Sequence, residues 1–117
     1  MTAERFHDIL KVKLDDYVNR VYDCTMLFPR DELYGVTSQL RRSALSVVLN
    51  YIEGYARGRE RVMKNFLEIA YGSLKESKYL LYFSFKRKYL GGEDYIKLLA
   101  ISEEIGRMLW GIITKIN

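Results

Sequence analysis

A chain of 117 residues with 49% apolar and 29% charged side chains and a single proline is one globular domain, too short for two cores and too apolar for disorder. Its net charge of +4 is unevenly placed: residues 36–88 hold eleven basic and four acidic groups, residues 1–35 carry net −2 and residues 89–117 net −1. No apolar run approaches the ~20 residues that span a bilayer, and the lone Cys24 excludes an internal disulfide.

The opening segment MTAERFHDIL is charged where a secretory signal needs an apolar block, so a cytoplasmic protein is expected, in keeping with its one thiol. The first predicted helix covers about 8–28, with Leu10, Leu14, Tyr17, Val21, Cys24 and Phe28 forming a seam at alternating steps of four and three. Pro29 stops it, and His7 falls before it on an end expected to fray.

The second helix runs from about 34 to 57 and ends at Gly58. It is apolar almost all round, which predicts a central, buried helix. Leu40, Ala44, Val47 and Tyr51 make one apolar set, and Leu45, Val48, Leu49 and Ile52 make another on a different side. Between them Gln39, Arg42, Ser46, Asn50, Glu53 and Arg57 recur at steps of three or four, so one polar line follows a single helical face.

The third helix covers about 60–89, with Met63, Leu67, Ala70, Leu74, Ser77 and Leu81 as its core stripe and the Gly91–Gly92 pair as its stop. At 1.5 Å per residue it is roughly 45 Å long, a length natural to a bundle. The fourth covers about 93–115, with Tyr95, Leu98, Ser102, Ile105, Leu109, Ile112 and Ile116 on one seam. Gly106 and Gly111 inside it each cost roughly 1 kcal/mol against alanine, which predicts close approach of another helix.

No strand pattern occurs, and the short connections predict an all-α, up-down-up-down antiparallel four-helix bundle spanning residues 1–117. Such a bundle buries one face of each helix, so a monomer would leave one of helix two's apolar sets in water. Patches of that size mark interfaces. A homo-oligomer joined through helix two, chiefly Leu45, Leu49 and Ile52 with the polar line beside them, is the expected assembly.

Three constellations carry candidate chemistry. Along the polar line, Arg42, Asn50 and Glu53 either satisfy one another or a neighbouring subunit, fixing register, or they rim a pore where Arg41, Arg42 and Arg57 meet phosphate. The turn Arg57-Gly58-Arg59-Glu60-Arg61, followed by Lys64, is either a solvated turn or an anion site, because free amides at a helix start point the same way. On helix three, Lys64, Glu68, Tyr71, Lys75, Lys78, Tyr82 and Lys86 share a stripe in which cations alternate with rings. That pattern serves core packing or interface, or supplies charge and stacking faces to single-stranded RNA or DNA. Tyr79, Phe83 and Phe85 fall on other faces and read as packing residues.

An enzyme is not expected. Cys24 has no histidine partner in its helix, no clustered metal-ligand spacing or Gly-rich phosphate loop is present, and Glu103 and Glu104, adjacent in sequence, diverge around their helix. No metal or cofactor is implied. The alternative to nucleic-acid binding is a protein-interaction scaffold.

The run Phe28-Pro29, Glu32, Gly35, Ser38-Gln39-Leu40-Arg41-Arg42, Ser43-Ala44, Ser46-Val47, Asn50, Glu53-Gly54-Tyr55 resembles the signature of a bacterial four-helix-bundle family. Its founding members are encoded by intervening sequences in large-subunit ribosomal RNA genes. The resemblance continues at Phe66-Leu67, Ala70, Gly72-Ser73-Leu74, Glu76, Ile105, Met108 and Leu109, nearly the whole chain. It implies a homopentamer, and kinship with accessory proteins of diversity-generating retroelements, pentameric barrels that bind nucleic acid and a reverse transcriptase. The chain departs from the family pattern at Tyr51 and Ile52, where isoleucine and alanine are usual, and at Leu49, where proline or a small residue is common. Those bulkier side chains reshape the expected subunit contact.

Overall fold

The computed structural model describes residues 1–116. Four helices follow one another: α1 (Ala3–Thr25), α2 (Val36–Arg57), α3 (Glu60–Lys86) and α4 (Gly92–Lys115), with a short 3-10 turn at Arg30–Glu32. There is no strand among the described residues. The molecule measures 43 × 27 × 18 Å, and α3 at about 1.5 Å per residue nearly spans its long axis.

The helix ends follow from local chemistry, and four differ from the sequence expectation by two residues or more. α1 begins at Ala3, earlier than residue 8, because the Thr2 hydroxyl caps it by accepting from the Arg5 amide at 3.1 Å. It ends at Thr25 and not at Phe28: Pro29 has no N–H to give the Thr25 carbonyl and biases Phe28 away from helical backbone. α2 starts at Val36, not 34, and Gly58 ends it in the left-handed conformation at φ 74°. α3 stops at Lys86, not 89, before the glycine pair is reached. Lys88 takes φ 66°, while the Tyr89 amide donates to the Ser84 carbonyl at 2.9 Å and the Lys88 amide to the Phe85 carbonyl at 3.0 Å. This is a Schellman closure with lysine where glycine is usual. Gly91 and Gly92 instead open α4.

Side-chain contacts fix the antiparallel order. His7 meets Tyr51 and Tyr55 near the end of α2, Arg41 reaches Thr25 at the end of α1, Phe85 stacks on Tyr95, and Lys64 reaches the Ile116 carbonyl. Each helix packs on its chain neighbours, α1 closes against α4, and among the described residues the diagonal pairs have no backbone contact. The core is the set of stripes expected from period, including Leu10, Leu14, Leu40, Val47, Leu67, Leu74, Leu98 and Leu109, with Ile113 in place of Ile112 on α4. One buried polar pair crosses it diagonally: Tyr17 Oη lies 2.7 Å from Ser77 Oγ. Because Ser77 donates to the Leu74 carbonyl at 2.8 Å, Tyr17 is the donor between the two hydroxyls.

The closest helix crossing is between α2 and α3 at Gly54, where a Cβ would sit 3.2 Å from the Met63 carbonyl and 3.3 Å from Phe66 Cβ. The close approach expected on α4 holds at Gly106, where a Cβ would touch Leu74 at 3.4 Å, but not at Gly111, which faces open space. Nor is α2 central. Its two flanks stay open, since a bundle buries one face per helix.

Candidate nucleic-acid interface

α2 presents different chemistry on those flanks. Arg41, Leu45, Val48, Ile52 and Tyr55 follow steps of four and three down the side toward α1. Arg41 donates to Thr25 Oγ1 at 2.7 Å and to the Tyr22 carbonyl at 3.4 Å, its guanidinium 4.7 Å from the Tyr22 ring centre. Its guanidinium therefore ties α2 to the end of α1, away from the other predicted phosphate contacts. Leu49 and Ile52 are 59% and 55% exposed, and Leu45 and Val48 half-buried. Of the apolar set expected to face water, Leu49 and Ile52 do so, while Val48 packs against the core.

The polar line occupies the opposite flank, in a groove against α3 bordered by Gln39, Arg42, Ser46, Ser73 and Glu76. Ser46 Oγ lies 2.8 Å from Ser73 Oγ, and Asn50 Nδ2 donates to Ser46 Oγ and to its carbonyl at 3.0 and 2.9 Å. Glu53 accepts from Arg57 at 2.5 Å, an exposed ion pair one helical turn apart. Arg57 also lies 5.3 Å from the Phe66 ring centre. Within one chain, then, the line is half-solvated and partnered mainly within α2 and by Ser73, while Arg42 stays exposed. Arg59 and Arg61 are exposed at the turn beyond it.

The cation–ring stripe of α3 lies on a third side, against α4. Tyr71, Lys75, Lys78, Glu103, Arg107 and Trp110 line a groove of about 140 Å³. Lys78 pairs with Glu103 at 2.5 Å, and this contact holds the Glu103 carboxyl below its ordinary range. Lys75 Nζ lies 5.2 Å from the centre of the Tyr71 ring, whose other neighbour is Trp110 with centroids 5.3 Å apart. Further along α3, Tyr82 and Lys86 are exposed, and Tyr79, read from sequence as packing, is 62% exposed and 6.3 Å from Tyr82 between centroids. Lys64, at the other end, is drawn toward the Ile116 carbonyl at 3.4 Å. Arg107 and Trp110 were missed by sequence reasoning. Their three-residue spacing places them on one side of α4, but nothing in a single chain's pattern says that this side meets the α3 stripe.

His7 is not frayed. Its Nδ1 lies 2.5 Å from the Tyr51 hydroxyl and its ring meets Tyr55 edge-on at 4.6 Å. Burial, then the nearby Lys11, lowers its pKa, with Asp8 opposing. Burial pushes the Cys24 thiol up to about 11, so it stays protonated at neutral pH and is a poor nucleophile. Among the described residues no cluster of three or more His, Cys, Asp or Glu is placed to hold a metal, and no helix is long and apolar enough to cross a membrane.

The four-helix fold is shared with a known structure. A crystal structure of a protein with unknown function from the S23 ribosomal protein family of Bacteroides thetaiotaomicron matches with a TM-score of 0.82 at 25% identity. The match covers 89% of this chain and 97% of that one. Among curated proteins none matches. The family described as 23S rRNA-intervening sequence protein matches residues 11–111, from the early turns of α1 to the last turns of α4. The motif along α2 and the four-helix order thus lead to the same place: the chain belongs to the 23S rRNA-intervening sequence protein family.

Proposed function

We propose that the protein is a non-catalytic, cytoplasmic homo-oligomer, a pentamer as its family resemblance implies, that binds RNA or DNA through cationic surface on α2 and α3. One observation carries the reading. The exposed aliphatic residues Leu49 and Ile52 lie on the outward side of α2, with Arg42 two turns back on the Leu49 stripe, whereas Arg59, Arg61, Lys75 and Lys86 lie elsewhere and are exposed. Copies joined through Leu49 and Ile52 leave the cations of the α2–α3 turn and of α3 outward, and a ring multiplies a weak phosphate contact by presenting several at once. Light scattering and a titration of labelled RNA at two ionic strengths test it. The expected result is a multimer whose affinity falls steeply with salt. A single subunit at high concentration, or no binding at low salt, defeats the corresponding half. Replacing Arg57, Arg59 and Arg61 together by alanine is expected to weaken binding and leave assembly intact.

A second reading, a scaffold for another polypeptide, draws support from the pairing of Arg57 with Glu53 and Lys78 with Glu103, which removes two cations from the free set. A partner captured equally well after nuclease treatment, with no RNA bound, would favour it.

A further inference from the structure

The aromatic residues on the outer side of α3 and α4 are of two kinds. Phe85 and Tyr95 stack on each other, 4.7 Å apart and 12° from parallel, so each covers a face of the other. Tyr71 and Trp110 are tilted by 40°, and Trp110 is 53% exposed. Tyr71 is half-buried with Lys75 over its ring, so the open ring of this pair is Trp110. From this open ring we infer that the α3/α4 groove is a base-stacking site for single-stranded nucleic acid, with Trp110 as the platform, Tyr71 packed behind it, and Lys75 and Arg107 as the phosphate contacts. The inference rests on the nucleic-acid reading above and names the form of ligand and the residues that take it.

The charge of the groove matches that ligand. Lys75, Lys78 and Arg107 stand against one carboxylate, Glu103, which Lys78 already engages. The next carboxylate along α4, Glu104, is engaged by Lys13 of α1 at 2.5 Å. Among the described residues Lys75 and Arg107 are in no ion pair, and both border the groove. Arginine beside an indole also suits a nucleotide, since a base can stack while its phosphate takes the guanidinium. Unpaired bases offer their faces, whereas a duplex hides them inside its own stack. A second ring pair, Tyr79 and Tyr82, lies along the same helix with Lys86 beyond it. The rise from Tyr71 to Tyr82 is about 16 Å, enough for a strand to lay more than one nucleotide along α3. Branched aliphatic side chains, which seal a permanent contact between copies, are on the other side of the bundle at Leu49 and Ile52.

Trp110 is the only tryptophan, so its emission reports this groove alone. The protein is titrated with a single-stranded RNA of about twelve nucleotides and with a duplex of the same length. Trp110 emission is followed in one experiment and the anisotropy of a labelled strand in another. The single strand is expected to quench Trp110 and to bind more tightly than the duplex. Trp110→Ala is expected to lower affinity about tenfold, and Trp110→Phe to keep most of it, with mass and thermal unfolding unchanged in both. Anisotropy binding without quenching, or an unchanged affinity in Trp110→Ala, overturns the stacking site while nucleic-acid binding stands. Equal binding of duplex and single strand overturns it likewise. A loss of assembly in Trp110→Ala assigns the ring to a subunit contact and overturns it. Absence of any anisotropy change at low salt removes both readings together.

Discussion

The surface over α1 and α2 and the surface over α3 and α4 both leave large apolar side chains in water, but they are built from different material. On the first, Leu49 and Ile52 stand on the outward side of α2, and the nearby Arg41 is held against α1 by hydrogen bonds to Thr25 and Tyr22. On the second, Trp110, Tyr79 and Tyr82 stand among Lys75, Lys86 and Arg107. Aliphatic branches gain only by leaving water, so the first surface suits a contact that forms and stays. Rings among cations can be wet and still bind, so the second suits an exchangeable, charged ligand. Apolar exposure alone would have merged the two. The company kept by each side chain separates them.

The sharpest way to break the comparison is to put charge into the aliphatic side. Leu49→Asp with Ile52→Asp should weaken self-association by about a hundredfold or more, because carboxylates buried without partners cost several kcal/mol. Light scattering over a dilution series reads it, and nucleic-acid contacts of each subunit should survive. Next in size, Gly54→Ala should cost about 1–2 kcal/mol of stability in chemical denaturation, because the Met63 carbonyl at 3.2 Å is backbone and cannot step aside. Tyr17→Phe should cost about 1 kcal/mol by removing the diagonal hydrogen bond. Burial holds the Tyr17 hydroxyl up to about 12 from 10.0. Its stabilising contribution is therefore complete below pH 10 and lost as pH rises toward 12, and the phenylalanine variant should flatten that alkaline limb. Neither core change should favour one outer surface over the other.

Gly111→Ala, beside Trp110, should instead stabilise by about 0.5–1 kcal/mol in the same denaturation, since nothing lies within 4 Å of the new methyl. A loss would mean that this side of α4 is covered in the assembly, which would blur the distinction between the surfaces. The smallest effect is at the far end of the aliphatic side. The His7 pKa is lowered from 6.5 by burial and Lys11. Its stabilising contribution is thus full above pH 6.5 and lost as pH falls through the folded value. Amide exchange in the first turns of α1 should quicken in acid, and His7→Gln should remove most of that pH dependence.

Period made the interior legible. Leu10, Leu14, Tyr17 and Val21 on α1, and Leu67, Leu74, Ser77 and Leu81 on α3, are buried where their spacing put them. Sequence also exposed the second apolar set of α2 as surplus. It could not rank the arginines. Arg41 and Arg42 are neighbours in the chain, yet a turn of ~100° sends one to α1 and leaves the other by α3. The predicted cationic site therefore divides among three sides of the bundle. Arg107 and Trp110 joined one of those sides only when α4 was docked, a fact of tertiary register that helical spacing does not contain. The end of α3 was hidden for another reason. Lys88 adopts a left-handed backbone held by the Ser84 and Phe85 carbonyls, and no residue type advertised it.

The tight crossing at Gly54 has a kinetic consequence. It joins helices separated in sequence by only Gly58 and Arg59, so it forms by closing a very small loop, whereas docking α1 on α4 must bring distant parts of the chain together. The α2–α3 hairpin should consequently be the folding nucleus, with the outer two helices condensing on it afterwards. In stopped-flow refolding, Gly54→Ala should slow the forward rate, while Ile113→Val on α4 should mainly speed unfolding; the reverse pattern would place the nucleus elsewhere.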